Sequence, residues 1–344
     1  MSNVLIDAPA WVGDMVMAQV LFKLLKQQRP DIKIDVMAPT STAPVLGCMP
    51  EIDNIVLTPF SHGELSLLKR YQFAKALRQE GYEQAILLRN SFKSAFIPFL
   101  ANIQKRTGWV GESRYGLIND IRKLDTQRYP LMIQRFAALA FPKEALLPNH
   151  LPMPRFSLMK TERLNVIQKF NVSLEKPVLA LCPGAEYGPS KQWPAEKLAE
   201  VANAKLQDGY QVWLMGSKKD KPIAEKIQSL THHSCINYAG ETSLFEAIYL
   251  LDLASVVVTN DSGLMHVAAA LQKPIVAIYG GSSYEFTPPL CDQKKLLART
   301  LPCRPCFKRT CQFGHYDCLN KISSDEVLKA MEEISGEVCA TNLL

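Results

Sequence analysis

Long apolar runs are missing from this chain of 344 residues. No stretch approaches the roughly 18 consecutive apolar residues that a membrane span requires, and Asp7 and Asp14 interrupt the apolar start. We therefore expect neither a spanning helix nor a signal peptide. A Walker A loop and a G-x-G-x-x-G fingerprint are also absent, which argues against a P-loop nucleotide hydrolase and a standard dinucleotide enzyme. There is no internal repeat and no low-complexity tract, so solenoids and disordered arrays drop out. Charge of one sign is in small excess: 39 Lys and Arg against 33 Asp and Glu, a formal net charge of +6. That balance permits an anionic ligand or a membrane surface and does not call for nucleic acid.

What is present is an ordinary globular composition, 47% hydrophobic and 21% charged, on a chain long enough for two domains. Nine cysteines without an export signal point to a reducing compartment. Short apolar runs alternate with helical patterns. The run at 4–6 precedes a turn-like APAWVGD and a helix from Met15 to about Gln27; strands follow at 33–38, 55–57 and 85–88, with a helix over 65–79 and another after Asn90. Prolines crowd the chain between 142 and 154, and the alternation then resumes with strands at 178–181, 211–215, 236–238, 256–259 and 275–279. The expectation is α/β: two Rossmann-like parallel-sheet domains, over 1–155 and 177–344, joined by a linker at 156–176 and facing each other across a cleft. The last helix has the option of packing back on the first domain.

The stretch VVVTNDSGLMHVAAAL at 256–271 reads as buried strand, tight turn and helix. Its plainest explanation is that Asp261 or Ser262 caps the helix. The other is that the unpartnered N–H groups of the new helix hold an anion. Turns in equivalent places share this character: AWVGDM with Gly13 and Asp14, LCPGAEYGPSKQWP with Gly184, Gly188, Ser190 and Lys191, and LMGSKKD with Gly216 and Ser217. Together they suit a ligand with several anionic oxygens, of which a diphosphate is the commonest. Each also has a plain reading. Glycines end strands, Lys191 can be a solvated lysine, and His266 can be a core histidine. Asp14 can cap the helix that begins at Met15, or stand as a general base.

These residues are similar to those of a known family. APAWVGDMVMAQVLFKLLKQQRP, CPGAEYGPSKQWP, VTNDSGLMHVAAAL and IYGGSSYEFTPPL resemble, in matching order, the ADP-heptose:lipopolysaccharide heptosyltransferases, with the type II branch nearest. The resemblance implies a GT-B fold, acceptor in the first domain and sugar nucleotide in the second, with inversion at the anomeric carbon and no cofactor or metal beyond the donor. It implies that Asp14 is the base and that Lys191 stabilises the leaving diphosphate. Ser262, Gly263, Asp261 and His266 would lie at the phosphate and sugar end, and Thr242 near the adenine. Gly184, Ser190, Gly216 and Ser217 complete the implied donor site. Some relatives hold the ribose with a glutamate where this chain offers Lys218. The implied partners are ADP-heptose, a lipopolysaccharide inner-core precursor (heptosylated Kdo-lipid A) and, peripherally, the cytoplasmic face of an inner membrane.

Two segments stay open. Between 89 and 128, Arg89, Lys93, Lys105, Arg106, Arg114, Arg122, Lys123 and Arg128 face only Glu112, Asp120 and Asp125. The run is either a solvated face or a basic rim for a phosphorylated acceptor, where Gly13, Arg89, Lys93 and Arg114 would act. Cys303, Cys306, Cys311 and Cys318 stand at C-x2-C-x4-C-x6-C with His315 inside. Structural zinc, free or redox-active thiols and disulfides are the options. A sugar-nucleotide epimerase is the competing enzyme. A nucleic-acid module built on Cys303–Cys318 with Arg304, Lys308 and Arg309 is the competing binding protein, and it leaves both sheets without purpose.

Overall fold

The computed structural model describes residues 3–60 and 66–341, with side chains as far as Ile334. It divides into two compact units, Met1–Ser157 and Leu158–Leu344.

The first unit holds strands β1 (Asn3–Asp7), β2 (Lys33–Ala38), β3 (Asn54–Leu57), β4 (Gln84–Leu87), β5 (Lys105–Trp109) and β6 (Asp120–Arg122), and helices α1 (Val12–Gln28), α2 (Ala43–Leu46), α3 (Leu67–Leu77), α4 (Phe96–Leu100) and α5 (Met132–Ala137). All strand pairs are parallel, in the order β3-β2-β1-β4-β5-β6. The expected start of the helix over 65–79 at Leu65 lies outside the described residues. β5 (KRTGW) and β6 (DIR) carry no apolar run, which is why the sequence does not announce them.

The second unit repeats the plan with α6 (Lys160–Lys169), β7 (Val178–Cys182), α7 (Ala195–Gln207), β8 (Gln211–Leu214), α8 (Lys221–Leu230), β9 (Ile236–Asn237), α9 (Leu244–Leu253), β10 (Val256–Asn260), α10 (Gly263–Ala270), β11 (Ile275–Tyr279), β12 (Lys294–Ala298), α11 (Asp317–Asn320) and α12 (Ser324–Thr341). Its parallel order is β12-β11-β10-β7-β8-β9, with Val258 of β10 opposite Leu181 of β7 and Val276 of β11. β7, β10 and β11 are buried along their whole length, as central parallel strands covered on both faces must be. In each unit the strand order reverses beside the first strand, between β1 and β4 and between β7 and β10. Such a reversal opens a crevice at the carboxyl ends of the strands.

Residues 153–157 are fastened to the first unit, the last two of them from the stretch expected as linker: the fully buried Gln19 donates to Arg155 O (2.8 Å) and accepts from Arg155 N (2.9 Å), and Ser157 N donates to Cys48 O (2.8 Å). Residues 160–169 form α6, which packs on α9 and adds an Arg163–Asp252 ion pair (3.1 Å). The described turns of α12 pack on their own unit, against α7, β11 and β12, with Val327, Ala330, Met331 and Ile334 in its core.

Candidate active site

The reversal in the second sheet is built by Asn260, a residue the sequence reading passed over. Its side chain lies at the end of β10, donates to Pro183 O (2.7 Å) and accepts from Trp193 N (3.1 Å). Both ends of the 183–193 loop after β7 are thereby tied to one buried amide. Trp193, with no exposed surface, completes the anchor by donating to Ile322 O (3.2 Å). Inside this loop the Lys191 ammonium meets the Asp261 carboxylate at 2.6 Å, bridging the turns after β7 and β10, and lies 5.2 Å from the Tyr187 ring centre. Asp261 is almost wholly buried and Lys191 one-fifth exposed.

This pairing decides one part of the capping question. Ser262 takes the extended N-cap conformation of α10, yet its side chain accepts no helix N–H, and its hydroxyl lies 3.5 Å from Thr259 Oγ1. Asp261 is engaged by Lys191. The first amides of α10, beginning at Gly263, are therefore not closed by a side-chain cap from Ser262, and they follow in sequence directly after the Asp261–Ser262 turn that Lys191 holds at the carboxyl edge of the sheet.

His266, one turn into α10, is buried. Burial drives its imidazole down to about 4; the Asp261 carboxylate pulls against that shift and Lys191 adds to it. The unfolded chain takes up this proton near the ordinary value of 6.5 and the folded chain does so only near 4. The His266 contribution is thus complete above about pH 6.5 and is lost as the pH falls through that window. It amounts to about 3 kcal/mol by linkage. His266→Gln is expected to flatten the fall in unfolding free energy over that window, as read by urea titrations at stepped pH.

Gly184 and Gly216 have an internal reason to be glycine. A Cβ at Gly184 would stand 2.3 Å from the Asp220 carboxyl, and one at Gly216 2.8 Å from Asp220 Cβ. Asp220 in turn accepts from Ser217 N and Oγ, both at 2.8 Å. These three nominated residues and Asp220 form one knot at the ends of β7 and β8. Thr242 lies after β9, its hydroxyl 3.5 Å from Tyr238 O. Ser190 N donates to Arg309 O (3.1 Å), its hydroxyl donates to Lys308 O, and its carbonyl accepts from Gly281 N (2.9 Å). A Cβ on Gly280 would fall 2.2 Å from that carbonyl and 2.9 Å from Leu319. Gly280→Ala should therefore destabilise by about 1–3 kcal/mol through overpacking, visible as a lowered melting temperature.

In the first unit α1 begins at Val12, three residues before the expected start. Trp11 is the N-cap and its side chain makes no cap bond, so Asp14 is not a cap: it sits in the first helical turn, where its charge complements the dipole. Gly13 is likewise helical rather than a turn residue. At the reversal between β1 and β4, Arg89 forms an ion pair with the buried Asp7. Burial pushes the Asp7 carboxyl up, while Arg89 and, more weakly, Arg114 and Arg70 pull it down.

The basic run is divided: Arg114 and Arg122 are buried, Arg89 and Arg106 are half-buried, and Arg128 is exposed. Arg114 has no exposed surface and donates to Arg89 O (2.6 Å), Trp109 O (2.8 Å), Asn90 Oδ1 (3.0 Å) and Ser94 Oγ (3.1 Å). It is a strut for the 89–94 loop, and its Nε is buried without a hydrogen-bond partner. Arg122 donates to Ala138 O (2.7 Å), Arg106 to Leu117 O (2.6 Å), and Arg128 to Glu144 O (2.9 Å). Lys93 is half-buried, and Lys105 and Lys123 are exposed.

Comparison with known proteins supplies the family. The model of glycosyltransferase family 9 (heptosyltransferase) matches residues 70–317. The chain belongs to that family. Over 344 residues it is 42% identical to lipopolysaccharide heptosyltransferase 2 of Salmonella typhimurium, covering 97% of this chain and 99% of the relative. It is 44% identical to lipooligosaccharide heptosyltransferase 2 of Haemophilus influenzae over 306 residues, 86% and 88% of the two chains. The solved ADP-heptose heptosyltransferase II of Escherichia coli superposes with a TM-score of 0.87 at 39% identity, covering 97% of this chain and 98% of that one. A family 9 structure from Veillonella parvula, at 20% identity and a TM-score of 0.84, shares the fold. The two Rossmann-like units are thus those of a GT-B heptosyltransferase, a glycosyltransferase of lipopolysaccharide biosynthesis. Among the described residues, no helix of this heptosyltransferase is long and apolar enough to cross a membrane.

Proposed function

We propose that the enzyme moves heptose from ADP-heptose to the first heptose of the lipopolysaccharide inner core on a Kdo-lipid A acceptor, with inversion. The acceptor hydroxyl oxygen attacks the anomeric carbon opposite the diphosphate. The bond from that carbon to the phosphate oxygen breaks, ADP departs, and Asp14 takes the hydroxyl proton. The observation that carries this reading is the Lys191–Asp261 pair at the β7/β10 reversal, in the turn that leads directly into the amides that open α10. Departure of a diphosphate concentrates negative charge on its bridging oxygen. A cation and fixed amide dipoles stabilise that charge without reorganisation. In this reading the diphosphate competes with Asp261 for Lys191, and Ser262 and Gly263 meet phosphate or heptose. No cofactor beyond the donor takes part.

The exposed apolar side chains of the first unit, Leu67, Leu68, Tyr71, Phe92 and Phe99, lie in a segment whose charges are predominantly basic. They support peripheral contact with an anionic membrane surface at the cytoplasmic face. The test is purified enzyme with ADP-heptose and a heptose-bearing lipid A precursor in EDTA, following ADP release and acceptor mass. ADP release with a gain of one heptose supports the proposal. Activity only on an unheptosylated acceptor moves the enzyme to the preceding transfer step, and UDP-sugar turnover without acceptor moves it to epimerase chemistry.

A further inference from the structure

The cysteine-bearing loop takes no part in the transfer just described, yet it is bound directly to the segment that carries Lys191. Tyr187 Oη donates to Phe307 O (2.6 Å), Ser190 reaches Lys308 O and Arg309 O, and Gly188 leaves no space for a Cβ, which would meet Arg309 O at 2.6 Å. Residues 306 and 307 are held in turn by Gly281 O, which accepts from Cys306 N (3.0 Å) and Phe307 N (2.8 Å). Residues 306–309 therefore form a strap across 187–191. Phe307 also meets the Phe286 ring edge-on (6.4 Å between centres), and the Arg309 guanidinium lies 5.5 Å from the Tyr187 ring centre.

Behind it lies a pocket of about 20 Å³, room for a single small ion or water. Cys303, Cys306, Cys311 and Cys318 all line it, and all four are half-buried free thiols. The lining also carries a cation suited to negative sulfur. Arg304, which also lines the pocket, has a buried Nη2 with no hydrogen-bond partner, while its Nε donates to Gly280 O (2.7 Å). The nearby His315 is already engaged, its Nδ1 accepting from Asp317 N (2.9 Å). Four thiolates around a divalent ion carry a net charge of −2, and the Arg304 guanidinium complements it.

We propose that Cys303, Cys306, Cys311 and Cys318 bind one divalent metal ion as a tetrahedral thiolate site, with the chemistry shared by zinc and ferrous iron, and that the loaded loop fixes the strap over the Lys191 segment. Each thiol gives up its proton to solvent as its sulfur–metal bond forms, and no electron is transferred. Among the described residues no three Cys, His, Asp or Glu side chains already stand at metal-ligand geometry. Loading must turn the four sulfurs inward from the pocket wall. The site is structural, as a closed four-ligand shell is.

The test uses the full chain, produced with zinc and iron supplied and purified under reducing conditions. Elemental analysis should find one zinc or one iron per chain, and which of them it finds identifies the ion. Titrating the thiols with a mercurial should release that metal in step with loss of the thiols, a measurement that needs no variant. Cobalt(II) exchange should give thiolate charge-transfer bands and intense tetrahedral bands. Cys311→Ser and Cys318→Ser should lose the metal. Wild type without stoichiometric metal and without the cobalt spectrum overturns the site, as does full metal content in Cys303→Ser combined with Cys306→Ser. Metal-stripped protein that keeps its circular dichroism should bind ADP more weakly, and unchanged ADP affinity overturns the strap's role. That second part rests on the diphosphate reading of Lys191, whereas metal content does not, so the two failures are distinguishable.

Discussion

Asp14→Asn is expected to lower kcat for heptose transfer by about 10²–10⁴-fold, the contribution of a positioned general base. KM for ADP-heptose should stay near that of the wild type, because the base acts only as the hydroxyl attacks. The substitution keeps the size of the side chain and removes its charge from the first turn of α1. The expected loss of stability is about 0.3–1 kcal/mol, the value of one charge at a helix end. Two measurements separate the roles. A pH profile of kcat should lose its acid limb in Asp14→Asn, since the group whose protonation silences the wild type is gone. Chemical denaturation should show only the small change. If transfer survives and only stability moves, Asp14 serves the α1 dipole and another group takes the proton.

That the choice between base and helix charge needs an experiment follows from where the sequence was readable. Strands whose residues are buried on both faces must be continuous apolar runs, so β7, β11 and the strand-turn-helix at 256–271 stand out, and α7 is marked by its periodicity. Edge strands have no such requirement. β12 (KKLLA) is half-exposed at every position and reads as surface. The start of α1 was misplaced because Gly13 and Asp14 favour turns and caps, whereas tertiary packing begins the helix at Val12.

At the site, residue type identified the participants more readily than it identified their reasons. Lys191 and Asp261 were both nominated, but nothing in a linear string says that they are 2.6 Å apart. Gly184 and Gly216 looked like ligand contacts, although the nearest demand on them comes from Asp220, between 4 and 36 residues away in the chain. Arginines are the hardest case. A count of charges treats Arg114 and Arg122 as surface, while five N–H donors allow an arginine to be buried wherever backbone carbonyls converge on it. Asn260 gave no signal of this task, which depends on the two ends of one loop, 67 and 77 residues away.

Lys191→Ala is expected to lower kcat/KM for ADP-heptose by about 10²–10³-fold, the usual loss when one preorganised stabiliser of developing negative charge is removed. Stability should fall with it. Asp261 keeps only about 3% of its side chain exposed, so removing its partner leaves a buried carboxylate uncompensated, a change that costs about 3–5 kcal/mol. One substitution therefore mixes two effects, and a double-mutant cycle separates them. Asp261→Asn combined with Lys191→Ala leaves no buried charge, so most of the lost stability should return. Transfer should not return, because the departing diphosphate still lacks its cation. Recovery of both would mean that Lys191 serves only to neutralise Asp261, and the diphosphate would then have to be held by the α10 amides alone. Recovery of neither would mean that the Lys191 side chain supports the 183–193 loop through its place over the Tyr187 ring, 5.2 Å away. A Tyr187→Leu variant would then show the same loss with Lys191 intact.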